Sequence, residues 1–170
     1  VIDPSPDSLE LARCRYDQIA SARGDNSVTY KESMTDLRGP IDVTIIATNS
    51  DVRRGVIEEL LDKSEVKYLI LEKVVFQSME DFNVICILLK KNGVKAWVNC
   101  ARRLYPFYSW LLPRIDLSGP VNMEFVWPSS GGGSGLGCNA IHALDIFSFL
   151  TKKQLLKINN SGLDREIVPG

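Results

Sequence analysis

Two kinds of apolar pattern alternate along the chain: short, nearly unbroken aliphatic runs, and longer stretches in which apolar residues return every three or four positions. Val1-Ile2-Asp3 reads as a buried strand ending in a carboxylate, followed by a turn at Pro4 and Ser5 and a helix through Leu9, Leu11 and Ala12. Val28-Thr29-Tyr30 is a short β-branched and aromatic run, and Ile41-Asp42-Val43-Thr44-Ile45-Ile46-Ala47-Thr48 is a stronger one, of the kind found in strands buried on both faces. Asn49, Ser50 and Asp51 offer N-caps to a helix whose Val52, Val56, Ile57, Leu60 and Leu61 share one face. Residues 66–71 form the next strand. Ser78 and Asp81 then make a capping box for a helix with Phe82, Ile85, Leu88 and Leu89 inward and Asn92-Gly93 as its stop, and residues 94–98 are again a strand. Strands alternating with helices in this way predict right-handed crossovers and a doubly wound α/β domain around a parallel sheet.

The pattern changes near residue 100. Tyr105-Pro106, Pro113, Gly119-Pro120 and Pro128 punctuate the chain, residues 121–127 alternate as a half-exposed antiparallel strand, and residues 131–137 hold five glycines. Those glycines read as a flexible loop reaching over a crevice. A helix from Asn139 carries Ile141, Leu144, Phe147 and Leu150. The expected division is a doubly wound α/β domain over residues 1–117 and the beginning of a second, α+β domain over 118–170. The opening on Val1 at the end of a strand, and the few residues left to complete the second domain, lead us to expect a fragment.

Composition narrows the function classes. With 170 residues, 45% of them apolar, and a net charge of -1, no basic footprint for nucleic acid or an anionic membrane exists. The longest apolar run, residues 85–89, is far short of the roughly 20 residues a spanning helix needs, and the first residues do not form a signal peptide. Cytoplasm is therefore the default location. Cys14, Cys86, Cys100 and Cys138 lie far apart without C-x-x-C spacing, which points to reduced thiols. His142 is the single histidine, so no multi-histidine metal site is expected.

In open parallel sheets ligands bind beyond the carboxyl ends of the strands. Those ends carry Asp3, then Thr48-Asn49-Ser50, then Glu72-Lys73, then Asn99 with Arg102 and Arg103. Asp3 can accept adenosine ribose hydroxyls, and the absence of a following Arg or Lys favours NAD over NADP. It can equally be a solvated carboxylate before a proline turn. Thr48, Asn49 and Ser50 offer hydroxyls and unpaired N–H groups to a ribose or phosphate, or simply cap a helix. Lys73, set at the rim of the sheet beside Glu72, suits proton exchange with a hydroxyl or carbonyl; the plainer reading is a surface salt bridge. His142 and Asp145 share one helix face, where the carboxylate can orient the imidazole, although a lone histidine is more often structural. The glycines fit no G-x-G-x-x-G register, and no Gly-Lys-Ser or Gly-Lys-Thr follows them.

Taken in order, these segments resemble the glucose-fructose oxidoreductase and inositol dehydrogenase family (Gfo/Idh/MocA), NAD(P)-dependent enzymes acting mainly on sugars and cyclitols. The run ending in Ala47-Thr48 resembles the family's strand into its Ala-Thr-Pro turn, Glu72-Lys73 the start of its Glu-Lys-Pro motif, and Asn99, Arg102, Arg103, Tyr105 and Pro106 its Arg-Arg-x-x-Pro segment. Residues 132–145 resemble the Gly-rich stretch and the helix bearing His-x-x-Asp, with His142 on the histidine. The resemblance implies a Rossmann-type fold lacking its first βα unit, about 25 to 30 residues. It further implies that Lys73 binds substrate and nicotinamide ribose and assists proton transfer, and that His142 binds or polarises the reacting hydroxyl. Three departures stand out: the missing glycine-rich turn, Val74 in place of the family's proline, and Cys138 in place of an aspartate that contacts substrate in many members. Asn139 stands beside Cys138 to take its polar role, and this variant is similar to members of bacterial surface-sugar biosynthesis.

The expectation is therefore an oxidoreductase moving a hydride between NAD and a hydroxyl or carbonyl of a sugar, cyclitol or sugar derivative. Lys73 and His142 are its catalytic candidates. Asp3, Thr48, Asn49, Ser50, Glu72, Lys73 and Arg102 are expected at the cofactor, and Lys73, Asn139, His142 and Asp145 at the substrate. No metal, nucleic acid or membrane partner is expected, and the intact protein is expected to be a homo-oligomer. The alternative is a non-catalytic Rossmann-type protein binding a nucleotide or sugar, or an inactive remnant serving association.

Overall fold

The computed structural model describes residues 1–20, 27–126 and 132–154. Helix α1 (Pro6–Ala20) precedes a repeating unit of β1 (Ile41–Ile46), α2 (Arg53–Lys63), β2 (Val66–Leu71), α3 (Met79–Lys91) and β3 (Lys95–Val98). A short 3-10 turn (Ala101–Leu104), α4 (Pro106–Leu111) and α5 (Gly132–Thr151) follow. The three strands lie side by side in sequence order and all run parallel. Ile46 stands opposite Leu71, and Leu71 opposite Val98, so the carboxyl ends are level. Parallel neighbours need a crossover between them, which α2 and α3 supply.

The strand runs are aliphatic because their inner face meets the two helices. Ile46, Leu69 and Leu71 pack with Ile57 and Leu60 of α2 and Ile85 and Leu89 of α3 in one buried cluster. Arg54 ties the helices together across their outer surface, donating to Glu58 at 3.0 Å and to Asp81 at 2.8 Å. The expected cap of α3 is present: the Ser78 hydroxyl accepts from the Asp81 amide at 3.1 Å. Gly93, at φ +68°, ends the helix in a left-handed conformation that a side chain disfavours. This is the parallel α/β arrangement of a Rossmann-type fold.

Several expectations are corrected. Both faces of β1 were expected to be buried. Side chains alternate across a strand, and α2 and α3 cover only the face that carries Ile46. Val43 and Ile45, on the opposite face, are 51% and 65% exposed. Val1 and Ile2 are exposed rather than buried, and Ile2 is held by a single parallel bridge to Lys31. Residues 28–30 therefore form no strand, since one bridge leaves them without a ladder. Asn49, Ser50 and Asp51 do not cap α2: Val52 is the cap residue and lends no side-chain bond. The Ser50 hydroxyl is instead met by Gln77 Nε2 at 3.3 Å. Phe82 is half exposed, edge-on to Phe76. Residues 121–126 form no strand, there being no neighbouring strand among the described residues to complete a ladder. Helix α5 begins at Gly132, seven residues before Asn139, so residues 132–137 are helical where a loop was expected. Glycine can take helical φ and ψ but disfavours a helix entropically, and the apolar half of α5, with Ile146 and Leu150 each 1% exposed, anchors the helix against that cost.

Candidate functional site

The level carboxyl ends of the strands bring the polar candidates onto one edge. The Glu72 amide donates to the Ile46 carbonyl at 3.0 Å and the Asn99 amide to the Leu71 carbonyl at 2.8 Å, so both chains leave the sheet in register. Asn99 Nδ2 then donates to the Glu72 carboxylate, whose second oxygen accepts from the Lys73 amide at 3.3 Å. Glu72 is thus occupied in shaping the strand end. The peptide between Lys73 and Val74 is cis. The Lys73 amine takes no hydrogen bond or ion pair among the described residues.

Beyond β3 the 3-10 turn carries Arg102 and Arg103, and α5 packs against it. Arg103 grips Asp145 from both sides of its guanidinium edge: Nε donates to the two carboxylate oxygens at 2.9 and 2.7 Å, and Nη2 adds a further bond. Asp145, 8% exposed in its side chain, is therefore committed to Arg103, and its hydrogen bonds raise Arg103 above the ordinary guanidinium value. The pairing sets α5 so that His142 is buried at the same edge. Burial holds the imidazole below its ordinary pKa, and the positive charges of Arg102 and Lys73 lower it further, against the opposing pull of Asp145 and Glu72. His142 is neutral at pH 7 and able to accept a proton. Lys73, Glu72, Arg102 and Asp145 thus all act on His142 through their charges. Cys100 lies among them as a protonated thiol, held above its usual value by burial first and then by Asp145.

Next to the cluster opens a cavity of about 790 Å³ whose lining includes Lys73, Asn99, Cys100, Arg103, Ile141 and Asp145. It is large enough for a small organic ligand. Asn139 stands one turn before His142 on α5, half buried. Asp3 lies apart, in a turn of its own: its carboxylate accepts from the Ser5 amide at 2.9 Å, and its amide donates to Lys31. Thr48 lies two residues past the end of β1 with its hydroxyl buried and without a hydrogen-bond partner, a polar atom that a ribose or phosphate oxygen would satisfy. Asn49 is exposed beside it. These residues fit the ribose end of a dinucleotide; no glycine-rich pyrophosphate turn is present in the sequence.

One residue at this edge escaped the sequence reading. Arg53, in the first turn of α2, is only 2% exposed. Its Nη1 donates to the carbonyls of Glu72 and Val74, each at 2.6 Å, and of Val75 at 2.8 Å, while Nη2 donates to the carbonyl of Thr48. Arg53-Arg54 at the start of an amphipathic helix reads as solvated surface, and nothing in the spacing separates the buried arginine from the exposed one.

No protein-family model matches the chain, and no curated protein matches it. Solved structures do. The chain is similar to apo scyllo-inositol dehydrogenase from Lactobacillus casei at 17% identity and a TM-score of 0.59, over 89% of this chain and 46% of that one. It is similar also to the WlbA (WbpB) dehydrogenase from Thermus thermophilus, solved in complex with NAD and UDP-GlcNAcA, at 14% identity and a TM-score of 0.59, over 88% of this chain and 53% of that one. The chain thus spans about half the length of the structures it matches. At such identities the likeness is one of fold, and the fold implied by the sequence motifs is the one found: this chain has the Rossmann-type α/β fold of dehydrogenases that include an inositol dehydrogenase.

Proposed function

We propose that the protein is an NAD-dependent oxidoreductase acting on a hydroxyl or carbonyl of a sugar, cyclitol or sugar derivative. What supports the proposal is that Lys73 lines a cavity of about 790 Å³ at the carboxyl edge of a parallel sheet and is near enough for its charge to act on the buried His142. When bound, nicotinamide supplies the hydride acceptor or donor. Thr48, Asn49 and Ser50 hold the nicotinamide ribose, and Asp3 takes the adenosine ribose. Lys73 and His142 meet the reacting oxygen: Lys73 donates to it, and the neutral imidazole accepts the hydroxyl proton during oxidation and returns it during reduction. Asn139 binds a further substrate hydroxyl. Asp145, spent on Arg103, holds α5 against the 3-10 turn. The substrates named for the neighbouring structures, an inositol and UDP-GlcNAcA, make cyclitols and nucleotide-linked sugar acids the first panel to test.

The test is Lys73→Ala in the full-length protein. Turnover of NADH with the responsive substrate should fall by at least about 100-fold, while NADH binding stays within about threefold. Unchanged turnover would remove Lys73 from the mechanism. Thermal stabilisation by NADH without turnover of any panel member would favour a binding protein instead.

A further inference from the structure

We propose that Arg53 is the positioning residue for Lys73: its buried guanidinium gathers the carbonyls around residues 72–75 and that of Thr48 into one fixed edge. The inference rests on the reading that Lys73 acts on substrate. The Glu72 amide makes the last bond of β2 to β1 and the Lys73 amide bonds the Glu72 carboxylate, but beyond them residues 73–75 have no ladder partner and no proline to fix their backbone. Arg53 supplies the missing restraint from another element. Three of its four acceptors, the carbonyls of Glu72, Val74 and Val75, straddle Lys73, and the fourth belongs to Thr48 just past β1. The same side chain therefore sets the lysine and the threonine relative to each other.

The neighbouring arginine shows what an ordinary residue does at this turn. Arg54 points outward and pairs with Glu58 and Asp81 on the surface. Arg53 is instead 2% exposed and hydrogen-bonded to carbonyls alone, with the charge of Glu72 as its nearest compensation. Burying a guanidinium on carbonyls is unfavourable unless its hydrogen bonds are well made. A planar fork serves two directions at once, with Nη1 on the carbonyls of residues 72–75 and Nη2 on that of Thr48, whereas an ammonium offers three donors from a single nitrogen. Arginine is thus the side chain suited to this task, and lysine keeps the charge while losing the geometry.

The experiment compares Arg53→Lys, Lys73→Ala and the double variant in the full-length protein, by steady-state kinetics with NADH and by amide hydrogen exchange. Arg53→Lys should lower kcat about 100-fold, as expected when a reacting group is misplaced by about 1 Å. KM for NADH should stay within about threefold. In the Lys73→Ala background the same change should lower the residual kcat by less than about threefold, because most of its effect on turnover runs through Lys73. Exchange should rise about tenfold at residues 73–76 with β1 and β2 unaltered. Where Arg53→Lys folds poorly, Arg53→Ala with added guanidinium chloride at low millimolar concentration provides the same comparison, and restored kcat supports the proposal. Exchange rising equally across β1 and β2, or an undiminished loss of kcat in the Lys73→Ala background, overturns it. Full turnover by Lys73→Ala would defeat the oxidoreductase role of Lys73, and the exchange pattern would then decide by itself whether Arg53 holds residues 72–75.

Discussion

Cutting the Arg103–Asp145 pair should release α5 from the end of β3. The Asp145 side chain is 8% exposed and accepts three bonds from one guanidinium, whereas the Arg103 side chain is 45% exposed. Removing one partner of a fully buried pair costs about 3–5 kcal/mol, and an exposed pair is worth about 0–1 kcal/mol. With one partner buried and the other half in water, solvent screening reduces the upper figure, and Arg103→Ala should cost about 2 kcal/mol. For a domain of this size that corresponds to a Tm lower by about 4–8 °C. A double-mutant cycle of Arg103→Ala and Asp145→Ala, followed by urea denaturation, isolates the pair, and the coupling should be about 1–2 kcal/mol. The double variant should be less impaired than Arg103→Ala alone, since no carboxylate is then left buried without a partner. Coupling below about 0.3 kcal/mol, within ordinary additivity error, would refute the reasoning.

Two further outcomes follow from the electrostatics of the edge. His142 has a folded pKa below its unfolded value of about 6.5, so as pH falls through that value the unfolded chain binds the proton first. Stability therefore declines as pH drops below about 6.5 until the lower folded pKa is reached; this component of the slope of Tm against pH should vanish in His142→Gln, and identical slopes in the two proteins would contradict it. Cys100, with its thiol held up by burial and by Asp145, should react with iodoacetamide at pH 8 at least about tenfold more slowly than the exposed Cys14 and Cys86. Equal rates, measured by mass spectrometry of the labelled peptides, would show that the thiol is not so placed.

Much of the architecture is legible in the residue pattern because the pattern is the record of burial. The three aliphatic runs became β1, β2 and β3 in parallel, and the Ser78 hydroxyl capped α3 by accepting from the Asp81 amide. The reading failed where an element depends on a neighbour. A continuous apolar run says that both faces of a strand can be buried, but whether a layer covers Val43 and Ile45 is decided elsewhere in the chain. Likewise the alternation over residues 121–127, of which 121–126 are described, is that of a strand that needs a partner to exist. The glycines before Asn139 suggested a loop, because propensity was weighed without the apolar anchor at Ile146 and Leu150.

The candidate site divides in the same way. Sequence determined which side chains stand at the strand ends, since the runs stop at Thr48, Glu72 and Asn99 and parallel strands place all their ends on one edge. Only the tertiary structure decided what those side chains do with one another: Glu72 turns to Asn99, Asp145 is taken by Arg103, and Arg53 rather than Arg54 goes inward. These are choices between near-equivalent partners, made by distances across elements that are far apart in the chain. A one-dimensional pattern encodes hydrophobic period, which repeats locally; it carries no record of which donor meets which acceptor after the helices have packed.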